Sequence, residues 1–431
     1  MIQPLKSART TWFVYWVDLE EPLPTGNDYF LPTLLIVCDR AGVPIASPDI
    51  LEDLDQLRVE NFLLKLIEKE GPPDRITVCA HDDWEDEAWK AFSHDNHIEV
   101  RFRDFERSGP EELRALARTV VMRFSRDESR DPQPKEVARG LVNTALRTRT
   151  NSKKHALLRA ALARDPDCSP ARIELADMEY QKGNWRSALS EYEEVIAREF
   201  PRWEPQRPQW WQDPATRPLL RSLYGRGMTL WHQGHHTEAA SQFEHLLGLN
   251  PEDNQGARFF IPLLHLLDDN LEATVAFFAR YESEFANDYS EPALLFGWAL
   301  CRSQEGDESG ARDKYREGIL KNIYIAPMLL EEPELPRNLW HPNDRAEPNY
   351  GNEFIDSYAV LWDRETGALR LLREVWEEIG PRVTEVIAHR QKMADFQDQR
   401  YAPDYKSQWK KLIAEDERLT LANDAGQDET S

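Results

Sequence analysis

"LYGRGMTLWHQGHHTEAASQFEHLLGLNP", Leu223 to Pro251, reads as two helices joined by a short turn. Apolar residues recur at three- and four-residue intervals on both sides of Gly234; Gly234 closes the first helix and Asn250-Pro251 ends the second. Gly227 lacks a side chain where Ala239 and Phe243 pack from the second helix, so the two helices can approach closely. A single pair of this kind cannot bury its apolar face alone, and neighbours of the same kind are required.

The neighbours are present. "ARIELADMEYQKGNWRSALSEYEEVI" repeats the pattern through Leu175, Ala176, Gly183, Ala188 and Tyr192, and Ala161 and Pro166 mark a more degenerate earlier unit. Downstream, "GARFFIPLLHLLDDNLEATVAFF" supplies Ala273 and Phe277, and "ALLFGWALCRSQEGDESGARDKYREGI" supplies Gly297, Ala311 and Tyr315. Taking Ala176, Gly227, Ile261 and Gly297 as equivalent gives intervals of 51, 34 and 36 residues. The last two fit the tetratricopeptide (TPR) repeat, whose period is about 34 residues. The excess in the first is an insertion at 200–218, too rich in Pro for a helix, carrying Trp203, Trp210 and Trp211. These indoles either pack on the flank of the helical array or form a partner-binding loop.

The junction "NPEDNQGARFF", Asn250 to Phe260, is richer than a turn needs. Asn250-Pro251 ends a helix and Asp253 or Asn254 caps the next, which leaves Gln255 and Arg258 without a role. "NPEDNQGAR" resembles the repeat junction of bacterial TPR proteins of unassigned function. Through "KNIYIAPMLL" and "GNEFIDSYAVLWDRETGALRLLREVWE", the following chain is similar to the C-terminal repeats of suppressor-of-tumorigenicity-7 proteins; the likeness covers about residues 220–378. Asn322-Ile323-Tyr324 departs from that family's Asn-Pro-His. The resemblance implies an architecture and a protein-interaction role, and carries no reaction with it.

In a TPR superhelix the first helix of each pair lines the concave face. The register above turns Tyr224, Met228, Trp231 and His232 inward, then Arg258, Phe259 and His265, then Leu294, Trp298 and Arg302. Aromatic and Arg side chains are the types that anchor interfaces. TPR domains that clamp acidic chaperone tails place Lys and Asn inward; here Ile173, Asp177, Tyr224, Met228, Arg258 and Pro262 stand at those places, which argues against such a ligand. The expected function is a noncatalytic scaffold or adaptor holding a protein or peptide in the groove.

Residues 1–124 read as an α/β domain with a mixed sheet in the order βββαβαβ. "WFVYWV" and "TLLIVC" are strands, "AGVPIAS" a turn and short third strand, and Leu51 to Leu66 a helix. "RITVCA" and "HIEVRF" are further strands, separated by a helix capped by Asp82 or Asp83 and followed by "PEELRALARTVVMRF" as a last helix. The domain resembles bacterial domains of unknown function found beside such repeats. The same order occurs in ribonuclease-H-like folds, where carboxylates hold two metal ions for phosphoryl transfer. Asp18, Glu60, Asp82 and Asp83 are the matching candidates for that alternative, although Asp82 and Asp83 have a capping role and Asp18 opens a turn. After a linker at 125–134, repeats fill 135–330, a Pro-rich loop and capping helices 331–415, and a disordered tail 416–431.

A net charge of −24 and a pI near 5.0 argue against general nucleic-acid binding. The four cysteines form no C-x-x-C pair, and His232 and His236 flank Gly234 rather than share a helical face, so no metal or cofactor is expected. No run approaches the roughly 20 apolar residues of a membrane span, and a cytoplasmic location is expected. A self-assembling structural module is the third possibility.

Overall fold

The computed structural model of the chain describes residues 10–19, 22–25, 28–40, 43–52, 54–79, 84, 86–103, 133–206, 209–284, 291–397 and 404–421. Residues 125–132 of the expected linker at 125–134, the helix before it, and Asp82 and Asp83 lie outside these residues; Gln133 and Pro134 instead begin a helix. The chain forms two compact units, Met1–Leu175 and Ala176–Ser431.

The first unit is built on a five-stranded mixed sheet. β1 (Thr11–Asp18), β4 (Thr33–Cys38) and β5 (Asp49–Leu51) form an antiparallel meander, and β6 (Arg75–Cys79) and β7 (Glu99–Arg103) continue it in parallel, giving the order β5-β4-β1-β6-β7. Parallel neighbours need crossovers. These are α1 (Gln56–Glu70), capped by the Asp55 carboxylate, and α2 (Asp86–Asn96). Side chains alternate along β1: Trp12, Val14 and Trp16 pack with Val59, Leu63, Val78 and Trp89, while Val17 packs on the other face with Leu34 and Ile36. The arrangement is the one the βββαβαβ order requires.

Two details differ from the sequence reading. The third strand of the meander is Asp49–Leu51 and not "AGVPIAS", where Pro44 makes only an isolated bridge to Cys38; Leu51 therefore ends a strand instead of opening the helix, whose N-cap is Asp55 and whose backbone starts at Gln56. A two-stranded hairpin, β2 (Leu23–Thr25) and β3 (Asp28–Phe30), also interrupts the β1–β4 connection. It docks on α3 (Pro134–Arg147), which pairs with α4 (Asn151–Arg164). Thr144 Oγ1 donates to the Tyr29 carbonyl at 2.6 Å and Arg147 pairs with Asp28 at 2.6 Å. Gly140 permits this approach: a Cβ there would stand 2.7 Å from the Tyr29 ring and 3.0 Å from its backbone nitrogen. The first helix pair therefore belongs with the sheet, and the boundary between units falls inside α5 (Ser169–Gln181).

In the second unit α5 leads to α6 (Trp185–Trp203), and the pairs α7 (Arg217–His232) with α8 (His236–Leu249), α9 (Ile261–Leu267) with α10 (Leu271–Glu284), and α11 (Pro292–Gln304) with α12 (Glu308–Lys321) follow. Each turn within a pair has one residue in the left-handed region: Gly183, Gly234, Asp269 and Gly306, with φ of 76°, 78°, 54° and 82°. These turns set the register. Aligned on them, the first helices contribute Ala176, Gly227, Pro262 and Ala299, and the second helices Ala188, Ala239, Thr274 and Ala311, then Tyr192, Phe243, Phe278 and Tyr315. The second-helix residues are all buried. The sequence register was thus one residue early at Ile261, Ala273 and Phe277, and two early at Gly297. In the third pair the cause is Asp269, which takes the left-handed place that Gly holds in the other turns; Asp is one of the few side chains that tolerate it.

Two further expectations change. Helical backbone runs through Pro201 to Trp203, and the Trp203 indole is buried where it donates to Glu199 at 3.0 Å. Beyond α12, the chain continues through α13 (Ile325–Leu329), α14 (Pro348–Tyr358), α15 (Val360–Asp363), α16 (Thr366–Glu378) and the hairpin of α17 (Gly380–Gln397) and α18 (Tyr405–Leu419). Asp416, Leu419 and Thr420, expected in a tail, are buried against α17 and its surroundings; residues 422–431 lie outside the described set.

Candidate partner-binding face

The corrected register redistributes the expected groove residues. Trp298 is turned off the concave face into the core: it is 2% exposed, stacks on Phe278 at 4.8 Å and has the Lys314 ammonium 4.4 Å above its ring. Arg258 is held by its own turn. Asp253 (φ 47°) accepts the backbone N–H groups of Ala257 and Arg258 at 2.7 and 2.9 Å, and Arg258 Nη1 at 2.9 Å. Gln255 donates to the Leu220 carbonyl at 3.2 Å, so both residues the junction left without a role are structural ties. Phe259 has the guanidinium groups of Arg258 and Arg345 over its ring, His265 lies 3.6 Å from Glu244, and Arg302 reaches Asp307 at 3.5 Å.

Downstream of α9 the inward face is filled by the chain itself. Phe354 of α14 and Trp362 of α15 pack on Phe296 of α11, and Trp362 Nε1 donates to the Tyr315 hydroxyl at 2.9 Å. Arg364 reaches back to Asp269 at 3.1 Å.

What remains is a row of rings along the C-terminal ends of the first helices. Trp185 stacks on His232 (4.7 Å, 8°), His232 on Trp231 (5.0 Å, 24°) and Trp231 on Tyr358 (5.6 Å, 9°), while Tyr180 meets both Trp185 and His232 edge-on. Trp231, Trp185 and Tyr180 are half-buried and His232 is exposed. Partial desolvation beside the rings lowers the His232 pKa below its ordinary value. Tyr224 and Met228, a turn or two earlier on α7, are half-buried against the core. Trp185 was missed because it opens a second helix, outside the first-helix rule; Tyr180 lies on the first helix α5 at the place Trp231 holds on α7, three residues before the left-handed Gly, and that equivalence was the available signal.

The insertion packs down. Trp210 and Trp211 are half-buried against the core, and the Arg217 guanidinium lies 5.3 Å from the Trp211 ring. In the first unit, Asp18 accepts from Thr33 Oγ1 at 2.6 Å and Glu60 from Gln56 Nε2 at 2.8 Å. Among the described residues no three His, Cys, Asp or Glu side chains converge to hold a metal ion.

A second polar cluster lies beneath α17 and α18. Arg390 Nε donates to Asp416 at 3.0 Å, and His341 Nε2 is 3.2 Å from the same carboxylate. Burial alone would raise the Asp416 pKa, but the His341 hydrogen bond and the Arg390 charge outweigh it and hold it at about 2. Depressed below its unfolded value, this carboxylate contributes stability that is complete above the usual carboxylate range and is lost as pH falls from about 4 towards 2. The loss expected is about 2 kcal/mol. Urea midpoints between pH 6 and 2 will show it as a component that Asp416→Asn flattens; an unchanged acid slope in that variant would refute the assignment.

The TPR family profile (tetratricopeptide repeat) matches residues 154–202. A solved tetratricopeptide repeat protein from Parabacteroides merdae is similar over 62% of this chain and 98% of its own, at 16% identity and a TM-score of 0.29. No curated protein sequence matches. The helices that follow the mixed sheet are paired in the TPR manner, and the TPR profile covers one stretch of them. Among the described residues no helix is long and apolar enough to cross a membrane.

Proposed function

We propose that this chain is a noncatalytic scaffold whose repeats hold a partner protein along the ring row Tyr180, Trp185, His232 and Trp231. The row carries the reading: stacked aromatic faces left half-open on a repeat array are interface anchors, large in area and already ordered before binding. Its electrostatics select the partner. A chain of net charge −24 draws cationic segments towards it. The partner segment is therefore a short basic stretch of protein laid across the rings.

Selection of a random peptide display library on the full chain tests this. Enriched peptides should carry Lys or Arg, and the Trp185→Ala/His232→Ala double variant should bind them at least about tenfold more weakly, while Trp211→Ala leaves binding unchanged. Enrichment of peptides that the double variant retains equally, or no enrichment at all, would overturn the reading.

A further inference from the structure

The second unit contains a pocket of about 310 Å³ between α12, the 341–346 loop, α17 and α18. That volume is at the small end for ligand sites. Pro292, Pro342, Ala346 and Ile413 give it apolar wall, and Lys321 and Arg390 line it as well.

The two cations stand in different states. The Arg390 side chain is 3% exposed; Nε and Nη2 are taken by Asp416, at 3.0 and 3.5 Å, and Nη2 also reaches the Leu320 carbonyl at 3.4 Å. Nη1 is buried and has no hydrogen-bond partner. A guanidinium N–H out of water with no acceptor is costly, and native structures rarely leave one. Lys321 is half-buried, and no hydrogen bond or ion pair among the described residues holds its ammonium group. The acids nearby are otherwise engaged or peripheral. Asp416 is committed to Arg390 and His341, Arg345 pairs with Glu291 at 2.8 Å, and Glu417 is exposed. The lining thus holds one ammonium and one guanidinium N–H without an acceptor.

We propose that this pocket binds a small organic acid, its carboxylate or phosphate oxygens on Lys321 and Arg390 and its apolar body against Pro292, Ala346 and Ile413. Desolvation depresses the Lys321 pKa in the free protein, and an arriving anion opposes that shift. The site is independent of the ring row.

Calorimetric titration of the full chain with hexanoate, hexyl phosphate, acetate and 1-hexanol tests the proposal. Saturable binding of hexanoate or hexyl phosphate is expected, at least about tenfold tighter than 1-hexanol, which lacks the charge, and than acetate, which lacks the body. The tighter of the first two identifies carboxylate or phosphate as the headgroup. Lys321→Met should weaken binding about tenfold or more, and Lys321→Arg, which keeps the charge, should preserve most of it. Binding of 1-hexanol as tight as hexanoate, no saturable heat with either acid, or a folded Lys321→Met protein that binds like the parent would each overturn it.

Discussion

Trp298→Ala is expected to destabilise the repeat unit by about 3–5 kcal/mol, the cost of deleting a large, fully packed aromatic. The indole is 2% exposed, lies flat on Phe278, meets Tyr281 edge-on at 6.2 Å and is capped by the Lys314 ammonium. Truncation leaves a cavity between α10, α11 and α12 that rigid neighbours cannot close. The same substitution at a groove-facing position would change stability by only about 0.5 kcal/mol. The urea midpoint of Trp298→Ala therefore distinguishes the two registers: a shift within experimental scatter would restore Trp298 to the concave face.

Asp253→Ala should cost about as much, roughly 3–5 kcal/mol, for a different reason. The side chain is 1% exposed and its two oxygens serve two backbone N–H groups and the Arg258 guanidinium, itself only 12% exposed. Removing the carboxylate strands a buried cation and uncaps the turn that starts the third repeat. Asp253→Asn keeps the capping oxygen and the tolerance of positive φ while losing the charge, so it should fall between alanine and the parent. Equal midpoints for alanine and parent would mean that Arg258 finds another acceptor and that the turn is not held by this ion pair.

The repeat array was readable because Gly, Ala and aromatic residues recur wherever helices must touch, and the strands of the first unit because β-branched and aromatic runs are bounded by turn residues. The register of the later repeats was not readable. At Asp269 the left-handed turn carries no Gly, so the apolar pattern "IPLLHLL" and "ATVAFF" could be laid down one residue either way. Arg258 looked like a binding residue because its partner occupies an uncommon backbone conformation that no local pattern announces. The polar clusters were hidden for a third reason: His341, Arg390 and Asp416 are brought together from a loop and two helices, across separations of 75 and 26 residues to Asp416. Composition records such residues as surface charge.

A helical solenoid is ordinarily a linear array in which each unit touches only the next, so it can fray from either end one unit at a time. Here Tyr358 rests on Trp231 and Arg364 reaches Asp269, a separation of 95 residues for the second contact, so the later helices return to earlier repeats. Those return contacts close a circuit. The loss of α14 and α15 removes the cover from α7 and α11 together, and melting at the carboxyl side reaches the middle of the array at once. Assembly is governed by the same circuit: until the ribosome has delivered the residues beyond 350, the half-finished array exposes the ring of Phe296 and more of the ring of Trp231, and the nascent chain carries a larger sticky surface than the completed protein.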